Sequence, residues 1–226
     1  VERMRALDPD VLVGWNVIDF DVRVLLERCA ALRIPCAIGR TREPPRLVLE
    51  SGPFTRSRAE LPGRMVIDGI LLVRDALRLP DYRLETVARA VLGRGKKIDH
   101  DAPDAAREIL RMWREDPEAL AVYNLEDARL VLEILAREGL FELAVERSRL
   151  SGMQLDRIGA SFASFELLYL PELRRQGVVA PSVVERPPVG VMGGALLEPT
   201  PGFHRRVAVF DFKSLYPSLI RTFGLD

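Results

Sequence analysis

The sequence predicts a mixed α/β fold, because short apolar runs alternate with longer stretches of helical periodicity. The apolar runs have the length of strands and are followed by polar residues, as at residues 11–14, at the start of 65–73 and at 207–210. Apolar residues recur every three or four positions over residues 21–32, 84–92 and 117–137. The chain has 226 residues, 48% hydrophobic and 29% charged, so it can bury one large core or two modest ones.

The first third of the chain is predicted to contain strand, helix, loop and strand in that order. Residues 11–16 predict a strand that runs into a polar turn, and a helix follows from Asp21 until Pro35 ends it. Residues 40–63 are rich in Arg, Pro, Gly and Ser, which predicts a hairpin or an excursion loop. The apolar run 65–73 predicts a core strand that continues into a short helix.

Helices are predicted through the middle of the chain. One starts at Leu84 and stops at Gly93, because glycine readily adopts the left-handed conformation just past a helix end. Pro103 fits the first turn of the next helix, and a longer helix spans Pro117–Arg137. Asp156 is expected to cap a further helix. The apolar residues expected on the core faces of these later helices include Met112, Trp113, Phe162, Phe165, Tyr169 and Leu173.

The composition changes near residue 178 and predicts a domain boundary. Residues 178–203 contain five prolines and four glycines, which favours an extended connector over a packed helix. We therefore expect a first domain over residues 1–145, a helical connecting segment over 146–177, and a connector with a third segment over 178–226.

The overall charge excludes a global electrostatic footprint for nucleic acid, since 33 basic residues balance 33 acidic ones. DNA binding would require local basic patches. Arg94, Lys96 and Lys97 form one such candidate, with a solvated charged loop as the alternative. Cys29 and Cys36 have no metal-ligand spacing. No segment approaches the roughly 18 continuous apolar residues of a membrane span, so no membrane association is expected.

One motif stands near the end of the chain, where residues 211–218 read Asp-Phe-Lys-Ser-Leu-Tyr-Pro-Ser. The preceding run 207–210 predicts a buried strand, and an acid at the end of such a strand is costly unless it meets a cation. Pro217 fits the first turn of a helix that follows. A strand, an acid, a turn and a helix are a common support for Mg²⁺ against a phosphorylated ligand. The alternative is that Asp211 only caps the helix.

Two further segments place acids and a phenol far apart in sequence. Asn16-Val-Ile-Asp-Phe20-Asp21 ends in an acid at the predicted helix start, where the helix dipole alone would favour it. Tyr123 and Asp127 are four residues apart and therefore share one helix face. Taken alone, each feature is compatible with a purely structural role.

Two other acids are expected to be structural. Asp116 begins an Asp-Pro-Glu sequence beside a helix start, so a helix-cap role is expected. Asp68 follows an apolar strand and is expected to accept a structural hydrogen bond, while its proximity to Asp21 stays open.

In this order, the two separated segments resemble the second and third motifs of proofreading 3′–5′ exonucleases with an RNase H-like fold. The resemblance implies that Asp21 and Asp127 bind catalytic metal ions, two Mg²⁺ or Mn²⁺ in a complete site, and that Tyr123 orients the attacking water. It also implies that Asn16 and Phe20 contact the 3′ end of DNA. The family's first motif, a strand with Asp-x-Glu before Asp21, is not in the chain, so weak metal binding is expected.

Residues 211–218 resemble motif A in the palm of family B DNA polymerases. The resemblance implies a catalytic, metal-binding Asp211 and a nucleotide pocket lined by Ser214, Leu215 and Tyr216. The paired glycines Gly193 and Gly194 resemble a connector of the same family that touches template DNA.

Across nearly its whole length, the chain resembles family B DNA polymerases of the bacterial polymerase II type. The expected architecture is an RNase H-like exonuclease fold without its N-terminal strands, then a helical segment and the first palm strand. The chain is thus expected to be a fragment, inactive by itself, of a cytoplasmic, nucleoid-associated bacterial enzyme. Its implied partners are primer-template DNA, a single-stranded 3′ end, dNTPs and, through other regions, a sliding clamp. The alternatives are a stand-alone exonuclease and a non-catalytic DNA-binding or interaction module.

Overall fold

The computed structural model describes residues 1–49, 57–95, 105–157, 159–182 and 196–225. The chain divides into two units, Val1–Ala180 and Pro181–Asp226. All strands of the described residues lie in the first unit: β1 Val11–Gly14, β2 Arg46–Val48, β3 Arg58–Glu60 and β4 Met65–Asp68. The helices of the first unit are α1 Glu2–Leu7, α2 Arg23–Ala31, α3 Gly69–Ala76, α4 Leu84–Leu92, α5 Ala105–Glu115, α6 Pro117–Arg137, α7 Leu140–Ser151 and α8 Ser161–Arg175. The second unit contains α9, Leu215–Phe223.

A short parallel sheet organises the first unit. β1 pairs with β4 so that Val11 lies opposite Met65 and Gly14 lies opposite Asp68. The carboxyl ends of both strands therefore meet at one edge. β2 and β3 form a separate antiparallel pair.

The β1–β4 sheet lies between two apolar clusters, because alternate residues of a strand face opposite sides. On one side, Leu12 and Val66 pack with Ile18 of the segment that follows β1. On the other side, Val13 packs against a helical cluster of α3, α4, α6 and α7 that includes Leu130. The residues that follow β1 thus contact both apolar clusters.

Most of the predicted elements of the first unit are confirmed. The hairpin within residues 40–63 is the β2–β3 pair, and the run 65–73 forms β4 and continues into α3. α4 ends at Gly93, which has a φ of 69°, and α6 spans Pro117–Arg137 as predicted. The helix predicted from Asp21 starts earlier, because Val17–Val22 form a π-helical turn before α2.

Some features of the first unit differ from the sequence prediction. α1 and α7 were not predicted. Asp156 lies in a short 3₁₀ turn, Leu155–Arg157, and the N-cap of α8 is Ala160. The three-part domain division stays a prediction, whereas the fold is a mixed α/β fold with small sheets.

The expected core positions of α5 and α8 are partly wrong. Met112 is buried, but Trp113 is 67% exposed and Phe162 is 88% exposed. Phe165 is also exposed and stacks on Tyr169 within its own helix. Helical periodicity identifies a shared apolar face, but burial of that face depends on a partner that periodicity does not specify.

The predicted first palm strand is not formed. Residues 207–212 have no regular secondary structure in the described chain, and Val209 and Phe210 are 89% and 91% exposed. A strand forms when its backbone N–H and C=O groups pair with a neighbouring strand. The described residues of the second unit contain no such neighbour.

α6 is the longest helix of the described residues, and its charged residues interrupt its apolar ones. None of the helices in the described chain has the length and apolarity that a membrane crossing requires.

Candidate active site

The first candidate segment is the turn that follows β1. Asn16 has a left-handed conformation, with φ 60° and ψ 30°, which asparagine tolerates better than most residues. Its carbonyl oxygen accepts the N–H of Phe20 at 3.1 Å and so starts the π-helical turn. π-Helical turns are rare and often occur at functional sites. This turn changes the chain direction directly after the sheet edge.

Asp68 of β4 holds that turn. Its Oδ1 accepts the backbone N–H of Asn16 at 3.0 Å and the backbone N–H of Ile70 at 3.0 Å. Burial raises the pKa of Asp68, and the charge of Asp19 acts in the same direction. The N–H groups of Ile70, Asn16 and Ile18 oppose this increase in pKa by stabilising the carboxylate. The expected structural hydrogen bond of Asp68 is confirmed, and it reaches the candidate site.

Some residues of the π-helical turn are buried in the core, and others are exposed to solvent. Ile18 and Val22 are buried, whereas Asn16, Phe20 and Asp21 are exposed. Partial burial raises the pKa of Asp21, and a hydrogen bond from its own backbone opposes the increase. The predicted DNA-contact residues Asn16 and Phe20 and the predicted ligand Asp21 therefore lie on one accessible turn.

The second candidate segment is the middle of α6, which packs on α4 and β1. Tyr123 is buried, and its phenol hydrogen-bonds to the carboxylate of Asp127 one turn later. Burial first, then the charge and hydrogen bond of Asp127, and then the charge of Glu85 raise the pKa of Tyr123 above its ordinary value of 10.0. The phenol therefore stays protonated at neutral pH and acts as a donor.

The orientation of α6 is supported by Arg94, which follows α4. Its Nη1 donates to Glu126 Oε1 at 2.6 Å and its Nη2 donates to Glu133 Oε2 at 2.5 Å. Two carboxylates of α6 thus bind the guanidinium of Arg94. These ion pairs favour the interpretation of a charged surface loop over that of a site for DNA phosphates. Lys96 and Lys97, the other members of that basic patch, lie outside the described residues.

The donor types of the site fit a hard divalent cation, but the described residues do not complete a metal site. Asp21 and Asp127 offer carboxylate oxygens, which Mg²⁺ and Mn²⁺ prefer. Within the described ranges, no group of three or more His, Cys, Asp or Glu side chains could hold a metal ion. The structure thus brings Tyr123 and Asp127 together. Among the described residues, it does not place Asp21 and Asp127 in a group of three or more side chains that could hold a metal ion.

A cavity of about 340 Å³ borders the turn but does not mark the predicted site. Its lining includes Ile18 and Asp68, together with Asp156 from the 3₁₀ turn. Asp21, Tyr123 and Asp127 are not among its lining residues.

In the second unit, the candidate residues lie at the start of α9. Ser214 is the N-cap and has a left-handed conformation with φ 55°, so Asp211 is not the cap of this helix. Leu215 and Tyr216 open the helix, and Pro217 lies in its first turn as predicted. The Ser218 hydroxyl donates to the Lys213 carbonyl at 3.2 Å.

The candidate residues of this second site are accessible to solvent. Asp211, Ser214, Leu215 and Tyr216 are all exposed. Gly193 and Gly194, expected to touch template DNA, lie outside the described residues.

Comparison with known proteins decides the family. Residues 1–87 match the model of the DNA polymerase family B exonuclease domain, and residues 158–225 match the model of DNA polymerase family B. The chain belongs to the family B DNA polymerases. The first match includes Asn16, Phe20 and Asp21, and the second includes Asp211. Tyr123 and Asp127 lie between the two matches, so their assignment depends on the Tyr-x-x-x-Asp motif and on their contact.

Several curated family B polymerases align with nearly the whole chain. DNA polymerase II of Escherichia coli (strain K12) is 41% identical over 97% of this chain, which corresponds to 28% of that protein. The DNA polymerase of Thermococcus sp. (strain 9oN-7) is 32% identical over 99% of this chain and 29% of its own length. The DNA polymerase catalytic subunit of Elephantid herpesvirus 1 is 28% identical over 98% of this chain and 22% of its own length. The chain thus spans less than a third of these relatives.

Sequence reasoning named the candidate motif residues of this family B segment but did not predict the hydrogen bond from Asn16 to Asp68. The sequence does show that Asp68 is an acid at the end of an apolar strand, next to Gly69. Only the parallel register places it opposite Gly14. The register itself is a property of the folded sheet.

Proposed function

We propose that this chain is part of a DNA-dependent DNA polymerase that also removes mismatched nucleotides with a 3′–5′ exonuclease. The observation that carries the proposal is the order of the two family B matches, with an exonuclease segment before a polymerase segment on one chain. The 41% identity to a DNA polymerase II supports the polymerase II type. A polymerase segment on the same chain disfavours a stand-alone exonuclease.

In the proposed exonuclease reaction, Asp21 and Asp127 are the carboxylates that hold divalent ions. The bound ions would activate the attacking water and stabilise the leaving 3′ oxygen. Tyr123 is the water-orienting group: its O–H donates to Asp127, which holds the phenol in place, and the phenol oxygen can accept a hydrogen bond from the water. Asn16 and Phe20 bind the 3′-terminal nucleotide from the exposed side of the π-helical turn.

In the proposed polymerase reaction, Asp211 is a metal ligand of the palm, and Ser214, Leu215 and Tyr216 line the nucleotide pocket. Their place at the start of α9 supports this role, since a helix N-terminus favours phosphate groups. Gly193 and Gly194 contribute a template contact. The substrates are primer-template DNA, a single-stranded 3′ end and dNTPs, and a sliding clamp would bind other regions. Because the proposed substrates are DNA and dNTPs, we propose that the enzyme is cytoplasmic and nucleoid-associated.

The decisive experiment separates the two activities in a polymerase extended to the length of its relatives. Asp21→Ala should lower Mg²⁺-dependent trimming of a mismatched 3′ end by more than about 100-fold, since even outer-shell partners of metal sites cost 10–100-fold. Primer extension should be retained. Asp211→Ala should lower primer extension and retain trimming of the mismatched 3′ end. Primer extension that survives this substitution would refute the polymerase assignment.

Asp19→Ala is the matched control for the exonuclease arm, because it removes the same charge from the same π-helical turn. It should retain trimming. An extended protein that trims but never incorporates nucleotides would instead indicate a stand-alone exonuclease. We expect the 226-residue chain alone to lack primer extension.

A further inference from the structure

We propose that Asp68 is a positioning residue of the exonuclease reaction, because its carboxylate fixes the turn that presents Asn16, Phe20 and Asp21. Asp68 does not touch the substrate in this scheme. It acts through the backbone of the turn, and the inference rests on the proposed exonuclease function.

The hydrogen bonds of Asp68 are divided between two elements. One bond, from the N–H of Ile70, is the ordinary N-cap of α3. A second bond, from the N–H of Asn16, crosses 52 residues of sequence to the turn after β1. A residue that only caps α3 requires the first bond alone. The second bond joins the cap to the candidate site.

The hydrogen bond to Asp68 holds Asn16 in an unusual backbone conformation. Asn16 is left-handed, a conformation that non-glycine residues keep when their surroundings determine it. The N–H of Asn16 donates to the carboxylate of the buried Asp68, and this hydrogen bond is itself partly buried, so its loss removes the acceptor that holds Asn16 in place. Loss of the Asp68 oxygen would therefore release the residue from which the π-helical turn begins.

Residues around the same turn are closely packed. A Cβ atom added at Gly69 would lie 3.1 Å from the Gly14 carbonyl oxygen and 3.1 Å from Trp15 Cε3. Trp15 Nε1 donates to the Tyr82 carbonyl at 3.0 Å. The N-terminus of α3 thus packs closely against the turn after β1, so the position of Asp68 determines the position of that turn.

The test compares Asp68→Ala with Asp68→Asn in the extended polymerase, using a mismatched primer-template and manganese alone as the metal. Asp68→Ala should lower trimming by about 10- to 100-fold, the range for outer-shell partners, and leave primer extension unchanged. It should also raise the manganese concentration for half-maximal trimming. Asp68→Asn should recover most of the trimming, because one Oδ1 accepts both the Asn16 and Ile70 bonds.

A second readout does not depend on activity. Hydrogen exchange of the Asn16 amide should accelerate in Asp68→Ala and return toward the wild-type rate in Asp68→Asn. Asp116→Ala is the matched control, since Asp116 also caps a helix by accepting a backbone N–H at 3.0 Å. It should lose its cap without a change in the ratio of trimming to extension.

The outcomes separate the inference from the proposed function. Trimming that survives both Asp21→Ala and Asp68→Ala refutes the proposed exonuclease site at Asp21, whereas trimming that survives only Asp68→Ala refutes the role of Asp68. A parallel loss of trimming and extension would show a general structural role and overturn the inference. If Asp68→Ala does not fold, Gly69→Ala provides the test, because it displaces Trp15 and should lower trimming selectively. An unchanged trimming ratio in that variant would contradict the proposal.

Discussion

The turn after β1 and the turn before α9 share a sequence pattern and differ in structure. Each follows a four-residue run rich in apolar residues, and each leads through an acid into a helix. The run 11–14 pairs with 65–68 and forms a parallel sheet. The run 207–210 forms no strand and is exposed. An apolar run therefore specifies the potential for a strand, and a neighbouring strand realises it.

The same difference extends to the site residues. Asn16 is tied to Asp68 across the sheet edge, so the exposed face of the first turn has a defined orientation. The second turn is held by a local bond between Ser218 and Lys213, five residues apart. The exonuclease segment thus carries long-range contacts that orient its site, whereas the hydrogen bond found at the palm segment is local.

The largest expected effect tests the burial contrast directly. Val66→Ala removes two buried carbons from a residue that is 1% exposed, and should lower the free energy of unfolding by about 2–3 kcal/mol, including the cavity. Val209→Ala makes the same change in the exposed run and should stay within about 0.5 kcal/mol. Urea titrations of both variants measure the difference.

An equal loss of stability in the two valine variants would show that residues 207–210 are packed in solution. The contrast between the two turns would then be wrong. A large effect of Val66→Ala alone supports it.

A smaller effect separates the two helix starts. Asp116 caps α6 by accepting the N–H of Ala119, so Asp116→Ala should cost about 1 kcal/mol of stability. Ser214 is the N-cap of α9, and its side chain makes no cap hydrogen bond, so Ser214→Ala should change stability by less than about 0.5 kcal/mol. Circular dichroism during urea unfolding reports both, and a larger loss for Ser214→Ala would contradict the cap assignment.

The sequence predicted elements whose determinants are local. α6 starts after Asp116 because that residue and Pro117 form a cap and a first turn, and both are neighbours in sequence. α4 ends at Gly93 because only the local left-handed conformation is required. The hydrogen bond between Tyr123 and Asp127 likewise follows from their spacing on one helix.

The features that the sequence could not predict depend on distant partners. Phe162 has the periodicity of a core residue and is exposed, because burial depends on what packs against α8. The bond from Asn16 to Asp68 joins residues 52 positions apart, and only the β1–β4 register brings them together. For the candidate site, motif residues could thus be named from the sequence, but the residue that we propose to orient them could not.

The smallest expected effect is a pH dependence that only the first turn should show. Burial, and then the charge of Asp19, raise the pKa of Asp68 above its ordinary value of 3.8, while the N–H groups of Ile70, Asn16 and Ile18 oppose the increase. A raised folded-state pKa gives stability that is fully present below 3.8 and is lost as pH rises through the folded-state value. Wild type should therefore gain stability relative to Asp68→Asn as pH falls from neutral toward that value. Ser218→Ala removes a hydroxyl that does not titrate in this range, so its stability difference should stay constant. Urea titrations at several pH values measure both differences, and a flat difference for Asp68→Asn would show that the Asp68 carboxylate is not perturbed by burial.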